Sequence, residues 1–125
     1  MEADKRTEKR KTGDRGEEIA CRWLEKHGFC IAERNFLCKM GEIDIIAWDV
    51  SDRTLCFVEV KTRSSLDFGY PCEFVDAKKR HRLEKTAEYY RMGRKQLLEL
   101  PMRMDIFEVY ITEKGIYVRY LKNAF

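Results

Sequence analysis

The sequence has no apolar run long enough to cross a lipid bilayer. Its 125 residues contain only short apolar stretches, far below the roughly 20 residues that a transmembrane helix needs. Residues 1–12 are charged and lack the apolar segment of a secretory signal. We therefore expect no membrane partner, a cytoplasmic protein, a flexible charged N-terminus over residues 1–12 and one folded domain over residues 13–125.

Paired cysteines and clustered histidines are also missing. The five cysteines are widely spaced, none forms a Cys-x-x-Cys pair, and His27 and His81 are far apart in sequence. This pattern argues against a zinc site and a disulfide framework, and it favours a reducing cytosol. We expect the cysteines to be small apolar residues in or near the core.

The overall charge is small, but its distribution is uneven. A net charge of +3 does not by itself indicate a nucleic-acid-binding protein. Residues 78–95, however, contain eight basic and two acidic side chains, hence a net charge of +6. A basic segment beside an acidic site would suit a phosphate backbone that runs past a metal ion.

Apolar periodicity predicts an α/β domain with the element order αβββαββ, in which helices pack on a mixed sheet. The first helix is predicted over Asp14–His27, with Asp14 as its N-cap and Gly28 after its end. The second is predicted over Lys78–Gly93, after a loop over Ser64–Pro71. The strands are predicted over Phe29–Leu37, Gly41–Trp48, Leu55–Lys61, Arg103–Thr112 and Gly115–Leu121.

Two carboxylates come together if the second and third strands pair. Glu59 and Lys61 would point to the same side of their strand, roughly 7 Å apart. A hairpin closed by residues 50–53 pairs residues whose numbers sum to 103, so that Asp44 faces Glu59 and Glu42 faces Lys61. Like charges at about 5 Å are destabilising. We therefore expect a cation between them, either a divalent metal or Lys61.

This arrangement has a catalytic and a structural interpretation. Asp44 and Glu59 offer hard oxygen ligands for Mg²⁺ or Mn²⁺, and Lys61 could position or deprotonate an attacking water. Alternatively, Lys61 forms ordinary surface ion pairs with Glu42 or Glu59. Spacing leaves both interpretations open. Asp44 favours the first, because it interrupts an apolar strand where an unpaired carboxylate would be costly.

Two helical side chains could join this site. Glu17 lies at the edge of the first helix's apolar face and could complete a metal shell, although a capping role fits its position better. Lys79 shares a face with Leu83 and Ala87, so it could point over the sheet towards the carboxylates.

The remaining predictions concern surface charge and the fourth strand. The other basic residues of the second helix, Arg82 and Lys85 among them, are equally consistent with a phosphate-facing surface and with an ordinary solvated helix. For Asp105, near the start of the fourth strand, we expect a structural role that holds an arginine or a helix.

Seven short motifs follow one another over about residues 13–111. They are Gly16-Glu17-x-x-Ala20, Arg34-Asn35, Gly41-Glu42-Ile43-Asp44-Ile45-Ile46-Ala47, Phe57-Val58-Glu59-Val60-Lys61-Thr62-Arg63, Phe68-Gly69-x-Pro71, Lys79-x-x-Arg82-Leu83 and Arg103-x-Asp105. In this order they resemble the YraN-like family of small bacterial proteins. That family is similar to the restriction-endonuclease-like superfamily, which includes archaeal Holliday-junction resolvases.

The resemblance implies an αβββαβ core with a mixed sheet flanked by helices, and the PD-(D/E)xK signature of metal-dependent nucleases. It assigns Asp44 and Glu59 as metal ligands, Lys61 as the catalytic lysine and Glu17 as a helix-borne acid that completes the metal site. The cofactor expected from it is Mg²⁺ or Mn²⁺.

We therefore expect a nuclease that acts on DNA, in particular on branched or damaged DNA, and that forms a homodimer. The side chains expected to contact nucleic acid are Lys79, Arg82, Lys85 and Arg63. Two alternatives remain: a non-catalytic nucleic-acid-binding protein of the same fold, and a small scaffold without a nucleic-acid role.

Overall fold

Five strands form one mixed sheet with a helix on each face. The computed structural model describes residues 8–64 and 76–124. In these ranges the element order is αβββαββ, as the sequence predicts, with one additional 3₁₀ turn before the fourth strand. The elements are α1 (Glu8–Lys26), β1 (Phe29–Cys38), β2 (Gly41–Asp49), β3 (Thr54–Arg63), α2 (Ala77–Met92), the 3₁₀ turn (Lys95–Leu97), β4 (Met102–Thr112) and β5 (Gly115–Leu121).

The strands lie in the sheet in chain order, β1-β2-β3-β4-β5. Three neighbouring pairs are antiparallel, and only β3 and β4 run parallel. A parallel pair needs a long crossover connection, and α2 lies in that connection. The predicted mixed sheet of an αβββαβ core, extended by a final strand, is thus confirmed.

Alternating side chains of β3 build a core on each side of the sheet. Cys56 and Val58 belong to the cluster under α1, whereas Leu55 and Phe57 belong to the cluster under α2. A strand that is covered on both faces is apolar at nearly every position. β2 is also covered on both faces, and β3 occupies the centre of the sheet.

The first helix begins earlier than predicted. It starts at Glu8, so Asp14 lies within the helix and is not its N-cap. The added turn is charged and carries no apolar periodicity, but its lysines, arginine and glutamate are good helix formers. The end agrees with the prediction, since α1 stops at Lys26 and Gly28 has a φ of +87°. No helix within the described residues combines the length and apolarity needed to cross a membrane.

The second helix begins at a cap that the sequence analysis missed. The Asp76 side chain accepts a hydrogen bond of 2.8 Å from the Lys79 backbone amide, and Gly93 follows the last turn. Residues 65–71 of the predicted loop lie outside the described residues.

The cysteine prediction is only partly confirmed. Cys21 and Cys56 are buried, but Cys30 is exposed and Cys38 is half-buried. Cys30 is exposed because it lies on the outward side of the edge strand β1. Cys72 falls outside the described residues.

Asp105 has the structural role that we expected. Arg103 binds it through Nε at 3.0 Å and also binds Asp49 and Asp52, each at 2.9 Å. The Tyr120 hydroxyl donates a hydrogen bond to Asp105, and the backbone amide of Asn123 donates another of 2.7 Å. This Arg103 cluster joins the start of β4 to the β2–β3 turn and to the C-terminal segment.

Candidate active site

The hairpin of β2 and β3 has the predicted register. Paired residues sum to 103 from Asp49 and Thr54 to Ile45 and Val58. The ladder then ends, one step before Asp44 would pair with Glu59. Instead, the Val60 amide donates a hydrogen bond of 2.8 Å to the Asp44 carboxylate. The Asp44 side chain thus replaces a backbone partner where the two strands separate.

Asp44 lies in an unfavourable environment for a negative charge. It is 9% exposed, and the Glu59 side chain is 13% exposed. Burial, with the charge of Glu59 as the second cause, raises the pKa of Asp44 to about 8, although the hydrogen bond from Val60 opposes the shift. The carboxylate pair, Asp44 and Glu59, therefore carries more negative charge than its surroundings readily stabilise.

Two lysines supply the nearest positive charge. The Lys79 ammonium lies 2.9 Å from Glu59 Oε1, and the Lys61 ammonium lies 3.4 Å from the same oxygen. The predicted direction of Lys79, over the sheet towards the carboxylates, is confirmed. Lys61 pairs with Glu59, and the ladder stops before Glu42, which is exposed.

The two lysines have opposite pKa shifts. Burial is the main cause that lowers the pKa of Lys61, and the neighbouring Lys79 lowers it further. Burial would also lower the pKa of Lys79, but its contacts with Lys61 and Glu59 outweigh burial and raise the pKa. Of the two, Lys61 is the easier to deprotonate.

Glu17 reaches the site because α1 packs closely on β3 at Gly16. A Cβ atom on Gly16 would lie 1.9 Å from Thr62 Oγ1, so only glycine permits this approach. Burial is the main cause that raises the pKa of Glu17, and its charge in turn helps to raise that of Asp44. The capping interpretation of Glu17 is wrong, because the helix begins at Glu8 and Glu17 is not in its first turn.

The carboxylate pair borders two clefts. The larger, about 480 Å³, opens on the α1 side and is also bordered by Glu17, Lys61 and Arg63. The smaller, about 210 Å³, opens below α2. Its charged border consists of Glu42, Asp44, Glu59, Lys79 and Arg82. All four predicted catalytic side chains thus border the larger cleft.

Of the four side chains predicted to contact nucleic acid, not all border a cleft. Arg63 borders the larger cleft and Arg82 the smaller one. Lys85 is exposed and pairs with Glu88 at 3.6 Å; it is not among the described residues that border either cleft. Two of the basic side chains on α2, Lys79 and Arg82, therefore lie beside the carboxylate pair, whereas Lys85 does not.

Sequence analysis missed a second buried acid near the site. Glu108 is fully buried on β4, next to Lys61 in the parallel register. It accepts a hydrogen bond of 3.0 Å from the Tyr110 hydroxyl and one from Arg119, and Arg63 Nε lies 3.7 Å from it. The sequence does contain a signal for this acid, since Glu108 interrupts an apolar strand as Asp44 does.

The donor set suits a hard divalent cation. Within residues 8–64 and 76–124, no three acidic, histidine or cysteine side chains are grouped closely enough to form a complete metal cage. Mg²⁺ does not need such a cage, because one or two carboxylates commonly hold it together with water and substrate phosphate. The oxygen chemistry of Asp44 and Glu59 fits that mode of binding.

Comparison with known proteins gives a consistent family match. The family model described as "Uncharacterised protein family UPF0102" matches residues 16–109. A UPF0102 protein of Caldicellulosiruptor saccharolyticus is 44% identical over 119 residues, which is 94% of this chain and 98% of the relative. A UPF0102 protein of Clostridioides difficile is 45% identical over 113 residues, which is 90% and 95% of the two chains.

Among solved structures, Pyrococcus furiosus SfsA in complex with Ca²⁺ is similar at 18% identity with a TM-score of 0.39. The match covers 91% of this chain but only 63% of the SfsA chain.

Proposed function

Since this chain belongs to the uncharacterised protein family UPF0102, we propose its function from the site itself: a metal-dependent nuclease that hydrolyses DNA phosphodiesters, in particular those of branched or damaged DNA. The observation that carries the proposal is the carboxylate pair, Asp44 and Glu59, with Lys61 and Lys79 on one oxygen of Glu59. The buried, like-charged pair has the chemistry of an Mg²⁺ or Mn²⁺ site.

Each of the four predicted catalytic side chains has a role in this proposal. Asp44 and Glu59 would hold the metal, with Glu17 nearby on the same cleft. A bound metal would acidify a water molecule and polarise the phosphodiester. Lys61 would position the attacking water and stabilise negative charge on the phosphorus. Its lowered pKa supports a further role: the neutral amine could accept the proton of that water, which would leave it as an ammonium able to stabilise the charge.

The basic side chains around the clefts supply the route for the nucleic acid. Arg63 borders the larger cleft, and Lys79 and Arg82 border the smaller one. Residues 78–95, most of which lie in α2, carry a net charge of +6. Phosphate contacts of this kind position a substrate without reading its sequence.

The test is cleavage of a panel of DNA structures by the purified protein with Mg²⁺ or Mn²⁺. Duplex, flap and four-way-junction substrates should be compared, and we expect Asp44→Ala and Glu59→Ala to reduce cleavage to background. Glu113→Ala, an exposed acid in the β4–β5 turn, is the control. Cleavage that survives both site changes would indicate a contaminant and reject the proposal, as would the absence of wild-type cleavage on every substrate.

A non-cleaving nucleic-acid-binding protein is the second candidate. It is favoured by the pairing of Glu59 with two lysines, which offsets part of the charge that a metal would offset. In that case DNA binding should survive Asp44→Ala and weaken when Lys79, Arg82 and Lys85 are neutralised. Fluorescence anisotropy without metal measures both effects.

The proposal includes a homodimer, because resolvases of the superfamily to which the YraN-like family is similar pair two active sites across a two-fold axis. Size-exclusion chromatography with light scattering measures the mass directly. A monomer at all concentrations, with or without DNA, would reject this part of the proposal.

A further inference from the structure

We propose that Lys79 is the resident counter-ion of the carboxylate pair, and that a divalent cation must displace it from Glu59 in order to bind. This inference rests on the proposed metal site and adds a positioning role for a residue of α2. It predicts two states of the site. Without metal, Glu59 binds the Lys79 ammonium; with metal bound, Lys79 leaves Glu59 and turns towards the nucleic acid.

The position of Lys79 is set by the fold of α2. The Asp76 side chain caps the helix at the Lys79 amide with a hydrogen bond of 2.8 Å. One turn later, Leu83 is buried against the sheet, followed by Ala87. These contacts hold the start of α2 over β2 and β3, so that the Lys79 ammonium reaches Glu59 Oε1 at 2.9 Å.

Lys79 differs from an ordinary helix lysine in what surrounds it. Its side chain is 29% exposed, and its partner Glu59 is 13% exposed. The Lys85 side chain, on the same helix, is 51% exposed and pairs with a glutamate that is 59% exposed. An ion pair that is largely removed from water is screened less by salt and is therefore stronger than a surface pair.

Lys79 and Lys61 share one oxygen atom, which makes one of them replaceable. Both ammonium groups lie within 3.4 Å of Glu59 Oε1, and two cations at one oxygen repel each other. A divalent metal held by Asp44 and Glu59 would add a third cation, with two positive charges, there. Both side chains are long and flexible, but Lys61 lies on β3 two residues from Glu59, whereas Lys79 comes from the separate helix α2.

The smaller cleft gives the released ammonium a place to act. Lys79 and Arg82 border it together, so a Lys79 side chain that leaves Glu59 remains beside a second cation. A phosphate in this cleft would hold the released ammonium away from Glu59. Metal and polyanion should therefore strengthen each other's binding by the same factor, as linkage requires.

The test compares Mn²⁺ binding by Lys79→Met, Lys79→Arg and the wild type. Electron paramagnetic resonance titration without nucleic acid, at mildly alkaline pH where protons compete least for the carboxylates, reports affinity directly. We expect Lys79→Met to bind Mn²⁺ about tenfold more tightly, equivalent to about 1.4 kcal/mol, because the competing cation is gone. Lys79→Arg should stay near wild type, as should Lys78→Met, an exposed lysine beside it.

A second measurement does not depend on metal binding. In a chelator, Lys79→Met should unfold at a lower temperature than the wild type, because Glu59 has lost a cation; saturating Mn²⁺ should remove that difference. Equal or weaker Mn²⁺ binding by Lys79→Met than by wild type would overturn the inference and leave the metal site intact. A wild type that binds no Mn²⁺ would instead overturn the proposed metal-dependent function, and the displacement with it.

Discussion

The sheet carries two groups of acidic side chains, the Arg103 cluster and the carboxylate pair. The pKa of Asp49 in the first group and the pKa of Asp44 in the second are shifted in opposite directions. In the Arg103 cluster, the guanidinium binds Asp49, Asp52 and Asp105. Burial alone would raise the pKa of Asp49, but hydrogen bonds from Arg103 and from the Asp52 amide outweigh it, and the pKa is lowered. In the carboxylate pair, burial and Glu59 raise the pKa of Asp44.

The difference lies in how many donors each buried acid receives. Asp49 accepts backbone hydrogen bonds of 3.1 and 3.2 Å from residues 51 and 52 in addition to the arginine. Asp44 accepts one from Val60 and faces a second carboxylate. The fold therefore satisfies the acids of the Arg103 cluster, whereas in the carboxylate pair the two lysines bind Glu59 and Asp44 keeps a raised pKa. The first arrangement is typical of a structural site, the second of a functional one.

Removing Arg103 should have the largest effect on stability. Arg103→Met leaves Asp105 buried without its cation and leaves Asp49 with the more distant ammonium of Lys122, at 3.6 Å. Breaking a buried ion pair from one side costs about 3–5 kcal/mol. Urea denaturation measures the loss in the free energy of unfolding. Arg80→Met is the matched control, because its pair with Glu84 is exposed and should contribute less than about 1 kcal/mol. Equal losses from both variants would contradict the comparison.

Gly16→Ala should disturb only the region of the carboxylate pair. Its new Cβ would meet Thr62 Oγ1 at 1.9 Å, and forcing extra atoms into a packed contact costs about 1–3 kcal/mol. The shift would also move Glu17 away from the larger cleft. Gly13→Ala is the control: nothing lies within 4 Å of its Cβ position, and alanine there should stabilise the helix by up to about 1 kcal/mol.

Thermal or urea unfolding of both variants measures the contrast, and Thr62→Ala should partly rescue Gly16→Ala by removing the contacted oxygen. If Gly16→Ala were as stable as Gly13→Ala, α1 would not depend on this close approach. The Arg103 cluster should remain intact in either variant.

The two regions should respond to pH in opposite directions. The raised pKa of Asp44 means that its ionised form destabilises the folded state, so metal-free stability should fall as the pH rises from its ordinary pKa of 3.8 towards about 8. The lowered pKa of Asp49 means that its contribution is present above its ordinary pKa of 3.8 and is lost as the pH falls below it.

Urea denaturation in chelator over a pH series should separate these effects. At pH values near the folded pKa of Asp44, Asp44→Asn should be more stable than wild type by about 1 kcal/mol or more, and the advantage should shrink towards acid pH. Asp49→Asn should be less stable than wild type at neutral pH, with the deficit shrinking as the pH falls below 3.8. If Asp44→Asn and the wild type had the same stability at every pH, the ionised Asp44 side chain would not destabilise the folded state.

Most of the fold followed from local patterns. The register of β2 and β3 could be predicted because a four-residue turn and alternating burial fix the pairing, and a one-residue slip would expose an entire face. The start of α1 could not be predicted from the sequence, because the charged turn from Glu8 has no apolar periodicity. Asp76 was missed as a cap because it follows a loop whose sequence gives no clear boundary.

For the candidate site, the sequence predicted the side of the sheet to which a side chain points, but not the atoms that it contacts. Helical spacing placed Lys79 over the sheet, but the sharing of one Glu59 oxygen by two lysines depends on how closely α2 approaches β3. Glu108 carried the same sequence signal as Asp44, an acid in an apolar strand. Its partner Arg119 becomes visible only when the β4–β5 register is known, since the two residues lie opposite each other in that hairpin.

The smallest expected effect concerns the response of the two regions to a polyanion. Arg82 borders the cleft beside the incompletely paired acids, whereas Lys122 is engaged with Asp49 and Asp52 at 3.6 and 3.5 Å. In DNA binding followed by fluorescence anisotropy in chelator, Arg82→Gln should reduce the slope of log affinity against log salt by about 0.9, the value for one phosphate contact. Lys122→Gln should leave the slope unchanged, because acids of the fold already neutralise its charge. An equal reduction in both variants would mean that DNA senses only net charge, and that completeness of pairing does not distinguish the two regions.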